Sequence, residues 1–265
     1  MEIDYALISE NVDGEDRMIG LAQNSFSNPD GDIKWYLDAG INGYPALQSQ
    51  NITFSDVEVV AVKAFCDWEN AVGIETTYMG ALNNPSTGDG INAVFFADDL
   101  NASELGLTNV ELFDEVICNS NDLYFAGRIE ESDIRLNLSM KWFVSTNTSG
   151  IGDLQYDLYS VLIHEIGHFL GHFHAMDTED NEINDERLMY YGLEKKQIKR
   201  NIDDSAEDGI ELLIQRTLES INSSGECFNG YALDADPEGC PTTDVSSPEK
   251  IRCQVVLKNI IRRGR

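Results

Sequence analysis

Residues 164–176 read HEIGHFLGHFHAM, and all four histidines of the 265-residue chain lie in that stretch. On a helix, His164 and His168 stand four residues apart, so both rings leave one face a turn apart. Two imidazoles so placed can share one metal ion. Zinc takes four ligands in a tetrahedron, and one helical face does not easily supply a third. Gly171 breaks the helix and lets the chain turn back, which makes His174 the third ligand. Three neutral imidazoles then leave a position for water, the arrangement of catalytic rather than structural zinc. Glu165 follows the first ligand, and its carboxylate projects beside the metal. Zinc acidifies its water, and a carboxylate there can take the proton and return it to a leaving amine. The spacing H-E-x-x-H-x-x-G-x-x-H fixes these roles together. His172 falls in a free position and is expected to be solvent-facing or to act behind the ligands.

The helix that must carry these residues opens at Asp157, a good N-cap, and runs through LYSVLIHEIGHFLG to Gly171. Earlier, Ser55 with Glu58 reads as a capping box. Val57, Ala61, Ala64, Trp68 and Val72 form the apolar stripe of the helix that follows, a core face, and Cys66 on that helix is incidental to function. Strands are expected over IKWYLDAGI (33–41), INAVFFADD (91–99), TNVELF (108–113) and SDIRLNLSM (132–140). Ser205 with Asp208 begins a last helix, whose stripe is Ile210, Leu213, Ile214, Leu218 and Ile221. Residues 1–31 are polar and read as a flexible lead-in, 32–224 as the folded domain, and 225–265 as a cysteine-containing extension with a basic end.

Forty-seven acids against 18 bases give a net charge of −29. That balance argues against nucleic acid and against anionic membrane surfaces as partners. It fits a well-solvated surface, or a salty or calcium-rich setting in which surplus carboxylates bind cations. No apolar run approaches the roughly 18–20 residues of a membrane span. The first twenty residues have neither a basic nor an apolar signal region, so either the protein stays in the cell or an export segment lies outside this sequence. Five cysteines (66, 118, 227, 240 and 253) include no C-x-x-C pair. Two disulfides with a spare thiol, or five free thiols, both fit that count. Sequons stand at Asn51, Asn101, Asn137, Asn147 and Asn222.

With His164, Glu165, His168, Gly171 and His174 in place, the chain resembles the metzincin clan of zinc peptidases. RLMYYG (187–192) offers Met189 as the clan's Met-turn methionine. IKWYLDAGI, SDIRLN, DLYSVLIHEIGHFLGHFH, LMYYG and AEDGIELL resemble the matrixins within that clan, over roughly Asp32 to Ile221. The resemblance implies an α/β (α+β) zincin-like fold: a twisted, mostly parallel sheet, an active-site helix and a small C-terminal subdomain. It implies a zinc endopeptidase acting on protein or peptide substrates, secreted or at the cell surface, with His164, His168 and His174 on Zn2+ and Glu165 as general base.

Three features depart from matrixins. Ala175 stands where Ser or Thr is usual. Tyr191 takes the place of a usual proline, and a tyrosine there resembles astacins and serralysins, where it can stabilise the oxyanion. The stretch from His174 to Met189 is long and carries Asp177, Glu179, Asp180, Glu182, Asp185 and Glu186. This reads as a solvated acidic loop, with a Ca2+ site or a repulsive gate against acidic substrates as alternatives. The family's cysteine-switch propeptide is not visible, because no cysteine precedes Cys66. The rival readings are a catalytically silent zinc-bearing binding or adhesion module and a narrow non-protein hydrolase.

Overall fold

The computed structural model describes residues 7–12, 15–20, 26, 33–112, 117–118, 123–124, 128–174 and 186–223. Five strands form its main sheet: β1 (Ile33–Asp38), β2 (Thr76–Leu82), β3 (Ala93–Ala97), β4 (Gly106–Leu112) and β5 (Ile129–Asn137). Their order is β2-β1-β3-β5-β4, all parallel except β4, which runs antiparallel to β5 and closes one edge. The α/β class and the mostly parallel sheet match the expectation. The strands are shorter or displaced relative to the sequence reading. β1 stops at Asp38 because that side chain turns to accept from Gly40 N at 2.7 Å and opens a 3-10 turn over Ala39–Gly43. β4 starts at Gly106, two residues before the expected TNVELF, and β5 starts at Ile129.

Helix α1 (Phe54–Val72) buries the whole expected stripe and adds Val60 and Phe65. Its cap is a correction to Ser55 and Glu58. The box is built by Thr53 and Asp56: Asp56 N donates to Thr53 Oγ1 at 3.3 Å and Thr53 N donates to Asp56 Oδ2 at 2.9 Å. Thr53 holds extended backbone, as a cap must, while Ser55 already lies in the first turn. Glu58 instead accepts from Tyr78 Oη at 2.8 Å.

Helix α2 (Leu158–Phe169) packs on α1 and on the sheet. Trp68 Nε1 donates to Ile163 O at 2.8 Å, and Trp35 stacks on Phe65 with centroids 4.0 Å apart. Helix α3 (Asp204–Ser223) buries Ala206, Ile210, Leu213 and Ile214. It begins one residue before Ser205 because Asp203 accepts from the amides of Ser205 and Ala206 at 3.1 and 3.2 Å. The side chains of Leu218 and Ile221 lie outside the described residues.

Within the polar lead-in, Leu7–Val12 pairs antiparallel with Glu15–Gly20. Phe26 is buried against Phe169. The acidic stretch 175–185 and the extension 225–265 lie outside the described residues, so the calcium and gate readings there do too. Cys66 is disulfide-bonded, which removes the alternative of five free thiols. Asn137 is buried and donates to the carbonyls of Asn101 and Glu104 at 2.9 and 2.7 Å, so its sequon is closed in the folded chain.

Candidate metal centre

The centre is built on the C-terminal half of α2. Asp157 caps the helix, accepting from Ser160 N at 3.1 Å, and its carboxylate is tied to Arg200 by two bonds of 2.7 and 2.6 Å. The helix ends at Leu170, and Gly171 follows with φ 102°, a left-handed conformation that side chains rarely adopt. His172 N donates to Gly167 O at 2.8 Å and Gly171 N donates to His168 O at 2.9 Å. Those two bonds are a Schellman closure, and they turn the chain back on itself as the sequence required.

The turn brings His174 onto the helix face that carries His164 and His168. The three Nε2 atoms stand 3.0, 3.1 and 3.2 Å apart. Tetrahedral zinc with nitrogens at about 2.0–2.1 Å spaces its ligand atoms by about 3.3–3.4 Å, so the triangle is close to the size one ion requires. Among the described residues, this is the one cluster of histidine, cysteine or acidic side chains that could hold a metal ion.

The tautomers also fit. His164 Nδ1 donates to Leu188 O at 2.8 Å, and His168 Nδ1 donates to His172 O at 2.6 Å. A nitrogen facing a carbonyl must carry the proton, so both Nε2 atoms present lone pairs. Two lone pairs 3.0 Å apart repel unless a cation lies between them. Burial, then the charge of a neighbouring imidazole, holds the three rings down to about 3, so all are neutral ligands at pH 7.

Glu165 is 6% exposed and points toward β4. Thr108 Oγ1 donates to its Oε2 at 2.7 Å. Burial pushes the carboxyl up to about 7, against the pull of that bond. A group poised there can both take and return a proton near neutrality.

Met189 is fully buried beneath the helix. A Cβ on Gly167 would meet its Sδ, which explains a glycine inside the helix. Lys199 Nζ donates to the carbonyls of Arg187 and Gly192 at 3.4 and 3.2 Å and so brackets the turn around Met189. Tyr191 is 56% exposed, and its ring centroid lies 6.2 Å from that of His174. His172 is not solvent-facing: its ring is buried, and its carbonyl orients His168. The Schellman closure holds the His172 amide against Gly167 O, and the ring Nδ1 lies against the Phe173 carbonyl.

Sequence reasoning missed Gly106, Thr108, Gly167, Arg200 and Asp203. Gly167 alone left a signal, since glycine inside a helix costs about 1 kcal/mol and asks for a packing reason.

The chain matches the matrixin family model over residues 45–213. No curated protein matches it. That match spans α1, α2 and the first half of α3, all but the first strand of the main sheet, the histidine triad and the turn at Met189. The protein therefore belongs to the matrixins, a family of zinc metallopeptidases.

Proposed function

We propose that the protein is a zinc endopeptidase whose substrate lies extended along β4. The observation that carries this is the Nε2 triangle on the helix that also bears Glu165, whose carboxylate is tied by Thr108 to the strand at which the sheet order ends. A peptide can add to that edge through main-chain hydrogen bonds. His164, His168 and His174 would hold the zinc. Bound there, zinc supplies a Lewis acid that polarises a carbonyl and makes water nucleophilic near neutral pH. Glu165 takes the proton of the attacking water on a carboxylate oxygen. It then delivers that proton to the departing amine nitrogen, which leaves as the neutral amine. Tyr191, whose exposed ring lies near that of His174, would donate its hydroxyl proton to the developing oxyanion.

The disulfide at Cys66 favours an oxidising compartment, hence a secreted or cell-surface protein. No helix among the described residues is long and apolar enough to cross a membrane. A catalytically silent zinc-binding module would need no base beside the metal, and the hydrogen bond that fixes Glu165 argues for an active centre. The deciding experiment is digestion of a mixed peptide library by the purified chain, with and without chelator, beside Glu165→Gln. Cleavage lost with chelator and with the substitution supports the reading. Equal cleavage by Glu165→Gln would overturn the role of the base, and no cleavage by a chain holding one zinc would favour the binding module.

A further inference from the structure

Glu165 is held by a strand as well as by its own helix, and we infer that Thr108 and Gly106 of β4 are positioning residues that set where its carboxylate sits. This rests on the peptidase reading for what Glu165 does. Thr108 Oγ1 lies 2.7 Å from Glu165 Oε2 and 3.1 Å from the carbonyl oxygen of the same residue. A hydroxyl has one proton, and the shorter, charged acceptor takes it.

Two residues earlier on the same strand, and so on the same face, stands Gly106. A Cβ built there would lie 2.6 Å from Glu165 Oε1 and 2.9 Å from both Cδ and Cγ. The missing side chain is the space the carboxylate occupies. One oxygen is packed over Gly106 and the other is tied by Thr108. β4 is continuously paired with β5 here, Gly106 opposite Leu136 and Thr108 opposite Ile134, so the hydroxyl is presented from stiff backbone.

A glutamate has three side-chain torsions, and a proton acceptor must lie within hydrogen-bond reach of the proton it takes. The tie removes the torsional freedom that would carry the carboxylate away from the metal. The effect of losing the tie should therefore fall on turnover and not on substrate or metal binding.

The test uses the full zinc-loaded chain and one peptide taken from the library. Variants are Thr108→Val, Thr108→Ser and Gly106→Ala, with kcat, KM, zinc affinity by chelator competition and melting temperature measured on each. Thr108→Val is expected to lower kcat about tenfold, with KM and zinc affinity within about twofold, since a hydrogen bond to a charged group is lost. Thr108→Ser should restore most of kcat. Gly106→Ala should lower kcat at least as much, because the added methyl displaces the carboxylate, and it should leave zinc affinity unchanged. Thr108→Val with wild-type kcat overturns the inference, as does a loss that serine does not restore or one matched by an equal loss of zinc affinity. If wild type cleaves and Glu165→Gln does not, while Thr108→Val equals wild type, the positioning role alone falls. A wild-type chain that cleaves nothing removes the peptidase reading and this inference with it.

Discussion

Arg200→Met is the sharpest test of what holds the active helix. Asp157 caps that helix with a carboxylate that is fully buried, and Arg200 grips it with Nε at 2.7 Å and Nη2 at 2.6 Å. The same guanidinium donates to the carbonyls of Ser145, Thr146 and Asn147 at 2.9, 2.9 and 3.2 Å and lies 4.6 Å above the Tyr159 ring. Methionine keeps much of the volume and removes every one of these donors. Breaking a buried pair by removing one partner costs about 3–5 kcal/mol, because the other charge is left without compensation. Asp157 keeps its bonds from Ser160 N and Oγ at 3.1 and 2.6 Å, so the lower end, about 3 kcal/mol, is the expected loss. For a domain of this size that is about 6–12 °C in melting temperature. Urea unfolding of the metal-free chain, followed by tryptophan fluorescence, measures it without the added effect of metal release. Asp157→Asn in the Arg200→Met background removes the stranded charge and should recover part of the loss. A loss below about 1 kcal/mol, or a cycle without coupling, would place this pair among exposed ion pairs and refute the reasoning.

Four further outcomes follow from the same geometry. Gly167→Ala forces a methyl onto Met189 and to 3.1 Å from Trp68 Cζ2; overpacking of about 1–3 kcal/mol outweighs the gain in helix propensity of about 1 kcal/mol, so the melting temperature falls, and a rise would refute the clearance role. Asp133 is pushed up to about 9 by burial, by its hydrogen bond to Glu131 and by that carboxylate's charge. The folded chain therefore keeps a proton there that the unfolded chain releases near pH 4, and stability falls as pH rises from about 4 to 9. Asp133→Asn keeps a donor for Glu131 and an acceptor for Ala93 N, so in urea titrations it should flatten that decline; an unchanged slope counts against the pair. Tyr191→Phe is expected to lower kcat by about tenfold or more with KM little changed, and equal kcat would remove the tyrosine from the chemistry. Zinc at about a thousand times its Kd should raise the stability of the metal-free chain by about 4 kcal/mol, whereas an unshifted melt would mean the triad binds no zinc.

The triad was legible because covalent geometry fixes it. Residues four apart on a helix share a face, and a glycine that permits left-handed backbone places the third ligand three residues on. Contacts made across the sheet leave no such mark. Thr108 lies 57 residues from Glu165, and nothing in TNVELF distinguishes a hydroxyl aimed at the base from one aimed at water. Its strand also starts at a glycine, which reads as a stop, although here the absent side chain is what Glu165 requires. Thr53 with Asp56 and Ser55 with Glu58 satisfy the same capping rule two residues apart. Only the backbone conformation at Thr53 decides between them. Arg200 is one of 18 bases, and its partner is 43 residues away. Its importance comes from the burial of Asp157, a quantity that exists only in the folded chain.

The orientation of the ligands has a chemical consequence. His164 and His168 both donate their one ring N–H, on Nδ1, to main-chain carbonyls, those of Leu188 and His172. A carboxylate in either place would raise the basicity of the imidazole and feed charge to the metal. A carbonyl fixes the ring and its tautomer without adding that charge, so an ion held here keeps more of its electrophilic character. The two carbonyls must then be held as firmly as a side chain would be. The His172 carbonyl follows directly on the Schellman closure behind α2, which anchors the His172 amide, and Leu188 is anchored through its own amide, which donates to Asp203 Oδ2 at 2.6 Å. Asp203 also caps α3, so the outer support of His164 runs from the turn at Met189 into the last helix. The start of the last helix thus contributes to the metal centre without placing a side chain in it, because its capping residue, Asp203, anchors the amide of the residue whose carbonyl aims a ligand.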